Sequence, residues 1–456
     1  MDLKFLENKS ILILGLGREG EATFRLLRKT FSEKMIYVAD QNEFKKLPIR
    51  LRRLLGGDKN TILCLGKNYL ESVKNVQIVF KTPGIPEKIL SPYLNGSINV
   101  FSQMEIFLLE KKRDCIGVTG TKGKSTTSSL IHHILKNSGV KSKLIGNIGK
   151  PVFSHLQAKG REKFVIELSS HQLNRVEASP RIAVFLNIFR EHLDYYNNFN
   201  EYFQAKQNIF KWQTKDDYFV YNSDFEQLKG LAKQSKGHLI SFGFDGRPKI
   251  HLKDGWICYA SQRIVKKGNI PLKGEHNILN VMAAIAAAKI LRIPNRKIAG
   301  AIKTFKPLKH RMELFASYNG VDFYNDSIAT IPEATIQMIN SVSNIKTLIL
   351  GGLDRGQDFE SLAERIIQKK IKNIILLPEN DKKIAKAISE AKGRKPKIYF
   401  ARNMKEVANI SFKNTRGGAC VLSPASASYN LFKNFEERGN RFKKIIKDLI
   451  KDGKSN

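Results

Sequence analysis

Residues 117–126 read GVTGTKGKST, a stretch that combines the end of an apolar strand, a glycine loop and the start of a helix. Such a loop places several backbone N–H groups and the positive end of the helix dipole around one anion. Lys124 would then reach the outer phosphates of a nucleotide, and the hydroxyl side chains after it could bind Mg²⁺. The stretch departs from the usual phosphate-loop pattern because Val118, not glycine, stands five positions before Gly123. It still predicts an α/β domain with a nucleotide site.

Alternating strand-like and helix-like patterns divide the 456 residues into three stretches. The first begins with SILILGLGREG and EATFRLLRKTF, a strand followed by a helix, and the second contains the GVTGTKGKST loop. The third has a hairpin signal at Asn319-Gly320 and then alternates strands with helices. The predicted fold is therefore a three-domain α/β protein. It has a Rossmann-like N-terminal domain over residues 1–104, a central P-loop ATPase-like domain with a parallel sheet over 105–308, and a Rossmann-like C-terminal domain over 309–456.

The formal net charge of +36 is the most unusual compositional feature of the chain. A large positive charge is typical of proteins that neutralise nucleic-acid phosphates. The lysines are spread through every region, however, and no zinc-finger or RNA-recognition signature accompanies them. We therefore expect a lysine-rich surface that attracts small polyanionic substrates. A basic P-loop protein that binds nucleic acid is the alternative from a different functional class.

Two further features concern the compartment in which the chain acts. Its four cysteines, Cys64, Cys115, Cys258 and Cys420, lie far apart and form no CxxC pair, so neither a disulfide framework nor a zinc site is predicted. No segment reaches the ~20 apolar residues of a membrane span. The first residues also lack a cleavage-site pattern. We expect a cytoplasmic protein with no membrane partner.

A second glycine pattern, Gly15-x-Gly17-x-x-Gly20, also follows a strand and opens a helix. With Asp40 near the end of the second strand, it matches a dinucleotide fingerprint. The residues alone leave three interpretations open: an NAD site, a site for the diphosphate of another nucleotide, or glycines that serve only the turn.

Three other places could carry chemistry, although each also has an ordinary structural interpretation. Glu167 ends the strand-like FVIE and could hold Mg²⁺, or it could be a capping or solvent-exposed acid. His192 and Asp194, in NIFREHLDYY, could bind a metal or orient a substrate, but a loop histidine commonly does neither. Lys206, in EYFQAKQNIF, has by itself the pattern of an exposed helix lysine.

Nine motifs, taken in chain order, resemble those of the Mur ligases over essentially the whole chain. They are TGTKGKST, ELSSHQL, EHLD, FQAKQNIF, KGEHNILNVMAA, HRME, YNDSIAT, LGGLDRGQDF and LSPASASYNLFKNFEERG. The last of them is the most specific. The first is similar to the Thr-Gly-Thr-x-Gly-Lys-Ser/Thr loop of Mur and folylpolyglutamate ligases, in which Gly120 stands three residues before Gly123.

The resemblance implies an enzyme that uses ATP and Mg²⁺ to phosphorylate a substrate carboxylate, after which the amine of an amino acid attacks the acyl phosphate. The expected reaction adds glutamate to UDP-N-acetylmuramoyl-L-alanine in peptidoglycan precursor synthesis. We expect a monomer whose partners are these small molecules. The C-terminal motif favours D-glutamate. GREG, DSIAT and DRG also resemble the relative that adds L-glutamate, and Ile328 replaces a lysine common in the family, so L-glutamate is the alternative.

The resemblance also assigns roles to particular residues of this sequence. Lys124, Lys206 and His192 would be catalytic, and Lys206 would be carbamylated so that it binds Mg²⁺ as an anion. The residues implied to bind ATP are Gly120, Thr121, Lys122, Gly123, Lys124, Ser125, Thr126, Asn280, Arg311 and Asp326. Those implied to hold the metal are Ser125, Thr126, Glu167, His192 and Lys206. Those implied to bind the uridine nucleotide are Gly15, Leu16, Gly17, Arg18, Asp40, Asn147 and His192. Those implied to bind glutamate are Thr330, Arg355, Ser428 and Phe435.

Overall fold

The structure is a computed structural model that describes residues 3–147, 150–158, 160–190, 195–272, 274–306 and 308–453. The chain packs into two compact units, Met1–Ile270 with His276–Phe305, and Pro271–Glu275 with Lys306–Asn456. The predicted α/β class is confirmed, because the first unit contains two largely parallel sheets and the second contains one. The first two predicted domains thus share one compact unit, and the three domain boundaries stay a prediction.

The first sheet has five parallel strands in the order β3-β2-β1-β4-β5. The strands are β1 (Ile11–Leu14), β2 (Ile36–Asp40), β3 (Thr61–Leu65), β4 (Ile78–Lys81) and β5 (Asn99–Phe101). The helices of this region are α1 (Arg18–Thr30), α2 (Ile49–Gly56), α3 (Glu87–Leu90) and α4 (Gln103–Lys111). The strand order reverses between β1 and β4, and parallel sheets bind ligands at the carboxyl ends of strands at such a reversal. The loops after β1 and β4 are therefore well placed to line a site.

The second sheet has nine strands in the order β14-β13-β12-β11-β10-β9-β6-β8-β7. The strands are β6 (Cys115–Thr119), β7 (Ser142–Gly146), β8 (Lys163–Glu167), β9 (Ile182–Phe185), β10 (Tyr218–Asn222), β11 (His238–Phe242), β12 (Ile250–Lys253), β13 (Trp256–Tyr259) and β14 (Gln262–Lys266). The helices are α5 (Lys124–Asn137), α6 (Ser170–Leu173), α7 (Phe199–Lys211), α8 (Glu226–Ala232), α9 (Glu275–Ile290) and α10 (Asn295–Thr304). Seven neighbouring strands of this sheet run parallel, in the order β12-β11-β10-β9-β6-β8-β7. At one edge, β13 and β14 are each antiparallel to the preceding strand.

The sheet of the second unit has six strands in the order β15-β16-β20-β17-β18-β19. The strands are β15 (Glu313–Tyr318), β16 (Val321–Asn325), β17 (Ile345–Gly352), β18 (Asn373–Glu379), β19 (Lys397–Phe400) and β20 (Gly418–Leu422). The helices are α11 (Pro332–Ser341), α12 (Glu360–Gln368), α13 (Asp381–Glu390), α14 (Met404–Asn414) and α15 (Phe435–Asp452). Only β15 is antiparallel to its neighbour. The predicted hairpin turn joins it to β16, with positive φ angles of 46° at Asn319 and 73° at Gly320.

One apolar core joins the two sheets of the first unit. Phe80 of β4 meets Phe153 edge to face, with 6.1 Å between the ring centroids. Arg175, just after α6, pairs with Glu87 at the start of α3. Large rings buried in such contacts stabilise the packing beyond the area that they cover. The loops at the carboxyl ends of both sheets are therefore supported by one continuous hydrophobic core.

The second unit buries apolar side chains on both faces of its sheet. Phe442 and Ile446 of α15 are fully buried, as the spacing of apolar residues in this helix predicts. Within the described ranges, none of the helices is both long and apolar enough to cross a bilayer.

Candidate active site

The glycine loop between β6 and α5 has the geometry expected of a phosphate-binding loop. β6 is buried at every residue, and Gly123 takes a left-handed conformation, with φ 85°, immediately before the first residue of α5. The first N–H groups of a helix have no partner within it, so the start of α5 offers donors to an anion. Lys124 Nζ donates to the carbonyl oxygens of Gly120 and Thr121, both at 2.9 Å.

Asn280 of α9 packs directly against this loop. A Cβ atom at Gly123 would collide with the Asn280 amide, so the close approach requires glycine there. The Asn280 amide accepts from Thr127 Oγ1 at 3.2 Å and donates to Asn277 Oδ1 at 3.0 Å. The structure thereby brings this predicted ATP-binding residue to the glycine loop, from more than 150 positions away in the chain.

Lys206 is not the exposed helix lysine that its local sequence predicts, and that interpretation is wrong. Only 1% of the residue is exposed, since α7 turns it inward beneath the glycine loop. Its Nζ donates to Gly120 O at 3.0 Å and lies 3.5 Å from Thr119 Oγ1. The Nζ also lies 4.9 Å from the centroid of the Tyr202 ring, one helical turn earlier. The predicted role of Lys206 in catalysis stays a prediction.

Two residues near the loop escaped the sequence analysis. The Tyr202 hydroxyl lies 2.8 Å from Thr121 Oγ1. Asn187, after β9, accepts from the N–H of Lys122 at 2.8 Å and donates to its carbonyl at 3.0 Å. Tyr202 could have been predicted from its position four residues before Lys206, because residues at that spacing lie on the same face of a helix. Asn187 had none, because its contact depends on the pairing of β6 with β9.

Glu167 ends β8 beside Val118 of β6, and it is 1% exposed. It is not a capping residue, because Ser169 caps α6. Its Oε1 accepts from Asn147 Nδ2 at 2.7 Å, and its Oε2 has no hydrogen-bond partner among the residues that the structure describes. A buried carboxylate oxygen without a donor is costly unless a cation satisfies it. With the buried hydroxyl residues Ser125 and Thr126 at the start of α5, this donor set fits Mg²⁺ completed by nucleotide phosphates.

His192, predicted to be catalytic, to hold metal and to contact the nucleotide, lies outside the described residues, and so does Asp194.

Six of the seven residues predicted to bind the uridine nucleotide surround one cleft of about 490 Å³, and the seventh, His192, lies outside the described residues. Gly15, Leu16, Gly17, Arg18, Asp40 and Asn147 all line it, together with the loop of residues 82–86. Asp40 Oδ2 accepts from the N–H of Leu16 at 2.7 Å and so fixes the glycine turn. Because Asn147 also donates to Glu167, the cleft leads toward the predicted metal site.

Glu19 and Gln172 line the same cleft and were missed by the sequence analysis. Gln172 Nε2 donates to Glu19 Oε1 at 2.6 Å, which links α6 to α1. Burial raises the pKa of the Glu19 carboxyl above its usual value. Gln172 forms a capping box with Ser169. The local sequence therefore indicates only a helix start, and it gives no sign that Gln172 lines the cleft.

Asp326, predicted to contact ATP, lies in the second unit at the end of β16. It is buried, and it accepts from Ser423 Oγ at 2.8 Å and from the N–H of Met312 at 3.1 Å. Burial raises the pKa of Asp326 to about 7, and the positive charge of Arg311 acts in the opposite direction. The structure therefore places these two predicted ATP-binding residues close enough to interact.

The residues predicted to bind glutamate also lie in the second unit. The Arg355 guanidinium lies over the Tyr429 ring, 5.5 Å from its centroid, next to the buried Ser428. Phe435 begins α15, and its carbonyl accepts from Ser327 Oγ at 2.8 Å. No hydrogen bond or ring contact in the described part of this unit joins Thr330 to these residues.

Arg438 organises the same region, although the sequence analysis gave it no role. It is fully buried on α15. Its guanidinium donates to Ser327 Oγ at 3.0 Å, to Ser327 O at 2.8 Å and to Ser426 O at 2.9 Å. These bonds hold the loop after β16 against the loop after β20. The motif LSPASASYNLFKNFEERG contains this arginine, but only the fold shows that it points inward.

Comparisons with known proteins agree with this arrangement. The family model of the Mur ligase middle domain matches residues 118–288, and that of the Mur ligase glutamate ligase domain matches residues 310–426. The UDP-N-acetylmuramoylalanine–D-glutamate ligase of Acetivibrio thermocellus is 36% identical, with 98% of each chain covered. The enzyme of the same name from Listeria monocytogenes is 34% identical, with 99% of each chain covered.

A solved structure of similar fold is the MurF ligase of Thermotoga maritima in complex with ADP. It superposes with a TM-score of 0.61 at 16% identity, and the match covers 97% of this chain and 95% of that one. Full-length identity above 30% to several enzymes, together with both family models, leaves one conclusion. The chain belongs to the Mur ligase family and groups within it with the UDP-N-acetylmuramoylalanine–D-glutamate ligases.

Proposed function

We propose that the chain is an ATP-dependent ligase that joins D-glutamate to UDP-N-acetylmuramoyl-L-alanine in peptidoglycan precursor synthesis. The observation that carries the proposal is the full-length similarity to enzymes named for this reaction. The neighbouring phosphate loop and nucleotide cleft of the first unit support it, because the reaction needs both ATP and a uridine nucleotide.

The reaction brings two anions together and then protects a reactive intermediate from water. The terminal phosphate of ATP passes to the carboxylate of the alanyl group, which gives an acyl phosphate and ADP. The amine of glutamate then attacks the acyl carbon, and inorganic phosphate leaves. Lys124 and the N–H groups at the start of α5 would neutralise the charge that moves between the phosphates.

Glu167, with Ser125 or Thr126, would hold the Mg²⁺ of the reaction, and His192 would hold a second ion. Bound there, Mg²⁺ would screen the charge of the outer phosphates and orient them. Glu167 suits this role because one of its oxygens is buried without a donor among the described residues. Asn147 holds the other oxygen and so fixes the direction of the carboxylate.

Lys206 would act as a carbamate, formed when its neutral amine attacks CO₂ and loses a proton. The modification turns a cation into an anion that can bind Mg²⁺. The burial of Lys206 beneath the glycine loop supports this role, since the amine lies 3.0 Å from Gly120 O. Only the neutral amine reacts with CO₂, because the ammonium form has no free electron pair.

The uridine diphosphate would occupy the cleft between the 15–18 loop and the 82–86 loop. Its volume of about 490 Å³ lies in the range of small-molecule sites. Glutamate would bind near Arg355, Ser428, Phe435 and Thr330, where a guanidinium and hydroxyl groups suit a dicarboxylate. The D-isomer is favoured because the similar enzymes are named for it, even though Ile328 stands where many family members have lysine.

The enzyme would act in the cytoplasm, where ATP is made, and as a monomer, because one chain supplies every predicted site residue. Light scattering coupled to size-exclusion chromatography would test the monomer.

The test of the reaction is phosphate release with ATP, Mg²⁺ and UDP-N-acetylmuramoyl-L-alanine, in parallel with D-glutamate and with L-glutamate. We expect release that depends on the D-isomer and a product whose mass has increased by one glutamyl group. Release only with L-glutamate would assign the chain to the sibling activity. Salt-sensitive binding to random DNA, with no ligation in either assay, would favour the nucleic-acid alternative.

A further inference from the structure

Residues 82–86, Thr-Pro-Gly-Ile-Pro, follow β4 and line the nucleotide cleft along their whole length. This loop has little hydrogen bonding of its own. Its two prolines carry no N–H, and the N–H of Ile85 makes a long bond of 3.3 Å to Thr82 O. The loop therefore depends on groups outside it for a fixed position.

Two side chains donate to the same atom of this loop, the carbonyl oxygen of Ile85. Lys81 Nζ lies 2.7 Å from it, and the hydroxyl oxygen of Tyr195 lies 3.0 Å from it. The same hydroxyl is 3.1 Å from Pro83 O, so its single proton is shared between two carbonyl groups. Lys81 is only 8% exposed, which is rare for a lysine unless its amine has a fixed partner.

Tyr195 is held in turn by the second sheet of the first unit. Its ring stands edge-on to His171, with 4.1 Å between centroids and 87° between planes. His171 lies in α6, which begins three residues after Glu167, and Tyr195 follows His192 by three residues. Tyr195 thus links the loop at the cleft to both segments that carry predicted metal ligands.

We infer that Lys81 and Tyr195 are positioning residues that fix the 82–86 loop and thereby shape the cleft for the nucleoside diphosphate of the substrate. The identity of that ligand rests on the proposed function. Neither side chain lines the cleft itself, so each acts through the Ile85 carbonyl.

The test uses three single variants of the full chain and one double variant. Tyr195→Phe keeps the ring beside His171 and removes the hydroxyl, and Lys81→Met keeps an apolar stem and removes the amine. Tyr196→Phe is the matched control. It also removes the hydroxyl group of a buried tyrosine next to Tyr195, but the Tyr196 hydroxyl makes no hydrogen bond to the loop. Hydrogen exchange of the peptide that contains Gly84 and Ile85 is measured without ligand. Binding of UDP and the KM values for both nucleotides are measured separately.

We expect Tyr195→Phe and Lys81→Met each to speed the exchange of this peptide about 3- to 10-fold, the range for loss of one hydrogen bond. The Kd for UDP and the KM for UDP-N-acetylmuramoyl-L-alanine should rise by a similar factor, while kcat and the KM for ATP change less than about twofold. The double variant leaves the Ile85 carbonyl without either donor, so its effect should exceed the product of the single effects. Tyr196→Phe should match the unmodified protein in every assay.

Unchanged loop exchange in both single variants would overturn the inference. Faster exchange with unchanged UDP affinity would overturn it as well, because the loop would then not shape the cleft. An equal effect of Tyr196→Phe would also overturn it, because the faster exchange would then come from general destabilisation of the core and not from the lost bond to Ile85 O. Lack of turnover by the unmodified protein would count against the proposed ligase reaction instead, since the exchange measurement needs no substrate.

Discussion

In the first unit, the loop after β1 and the loop after β6 have different surroundings. The loop after β1 and the loop after β6 both follow a buried strand and lead into a helix, and both need glycine at positive φ, 95° at Gly15 and 85° at Gly123. At the first loop, the Asp40 carboxylate takes up the N–H of Leu16. At the second, the amines of Lys124 and Lys206 lie within 3.0 Å of Gly120 O.

Glycine permits the turn in both loops, and we expect the nearby charges to influence which ligand each loop binds. At the first loop, the Asp40 carboxylate fixes the turn and suits the N–H and hydroxyl groups of a nucleoside, while the start of α1 suits its diphosphate. At the second loop, the Lys124 ammonium and the N–H groups at the start of α5 favour the phosphates of ATP. Substitutions at each loop test this difference.

Replacement of Lys124 should show the largest functional difference between the two loops. Lys124→Ala removes a cation that acts where charge moves during phosphoryl transfer, so we expect kcat/KM for ATP to fall about 10³-fold. Arg18→Ala, at the equivalent position of the first loop, should raise only the KM for the uridine nucleotide, by about threefold. Phosphate release at varied concentrations of each nucleotide measures both effects. Equal losses in the two variants would mean that the two loops do not differ in function.

Replacement of Lys206 tests whether the second amine works as an anion. Lys206→Ala should lower kcat about 10²-fold, because a ligand of the metal is lost, and short carboxylic acids such as acetate or formate should restore part of the rate. Lys211→Ala is the control, because this exposed lysine lies on the same helix. Full activity of Lys206→Ala without added acid would remove Lys206 from the mechanism.

Replacement of Asp40 should have the smallest effect and should be confined to the first loop. Asp40→Asn weakens a charge-assisted bond to the N–H of Leu16, so the KM for UDP-N-acetylmuramoyl-L-alanine should rise about 3- to 10-fold. The KM for ATP should stay the same. Isothermal titration with UDP and with an ATP analogue measures the two sites independently. A weakened ATP site would show that Asp40 supports the whole unit and not the first loop alone.

The features that were predictable from sequence are those whose causes lie close together in the chain. A strand, a glycine turn and a helix start occupy about ten consecutive residues, so both glycine loops and the α/β class were recognisable. The hairpin at Asn319-Gly320 was recognisable for the same reason, since its positive φ angles depend on two adjacent residues.

The features that were not predictable depend on distant segments. Lys206 reaches Gly120 across 86 positions, and Arg438 reaches Ser327 across 111. From its sequence, a lysine or arginine on a helix is expected to be exposed to solvent, and only the fold shows whether carbonyl groups are placed to accept from it. The sharing of Ile85 O by Lys81 and Tyr195 is of the same kind, because those donors are 114 positions apart in the chain.

The contact between Gly123 and Asn280 also has a consequence for the order of synthesis. The ribosome must add 153 residues after Thr127 before the asparagine that bonds to it exists. At the usual rate of roughly 5–20 residues per second, this takes roughly 8–30 s. During that interval the nascent chain contains the glycine loop but not yet Asn280, which packs against it. The contact of Asn280 with the glycine loop therefore forms only after α9 has been made, and a chain released before that point would lack it.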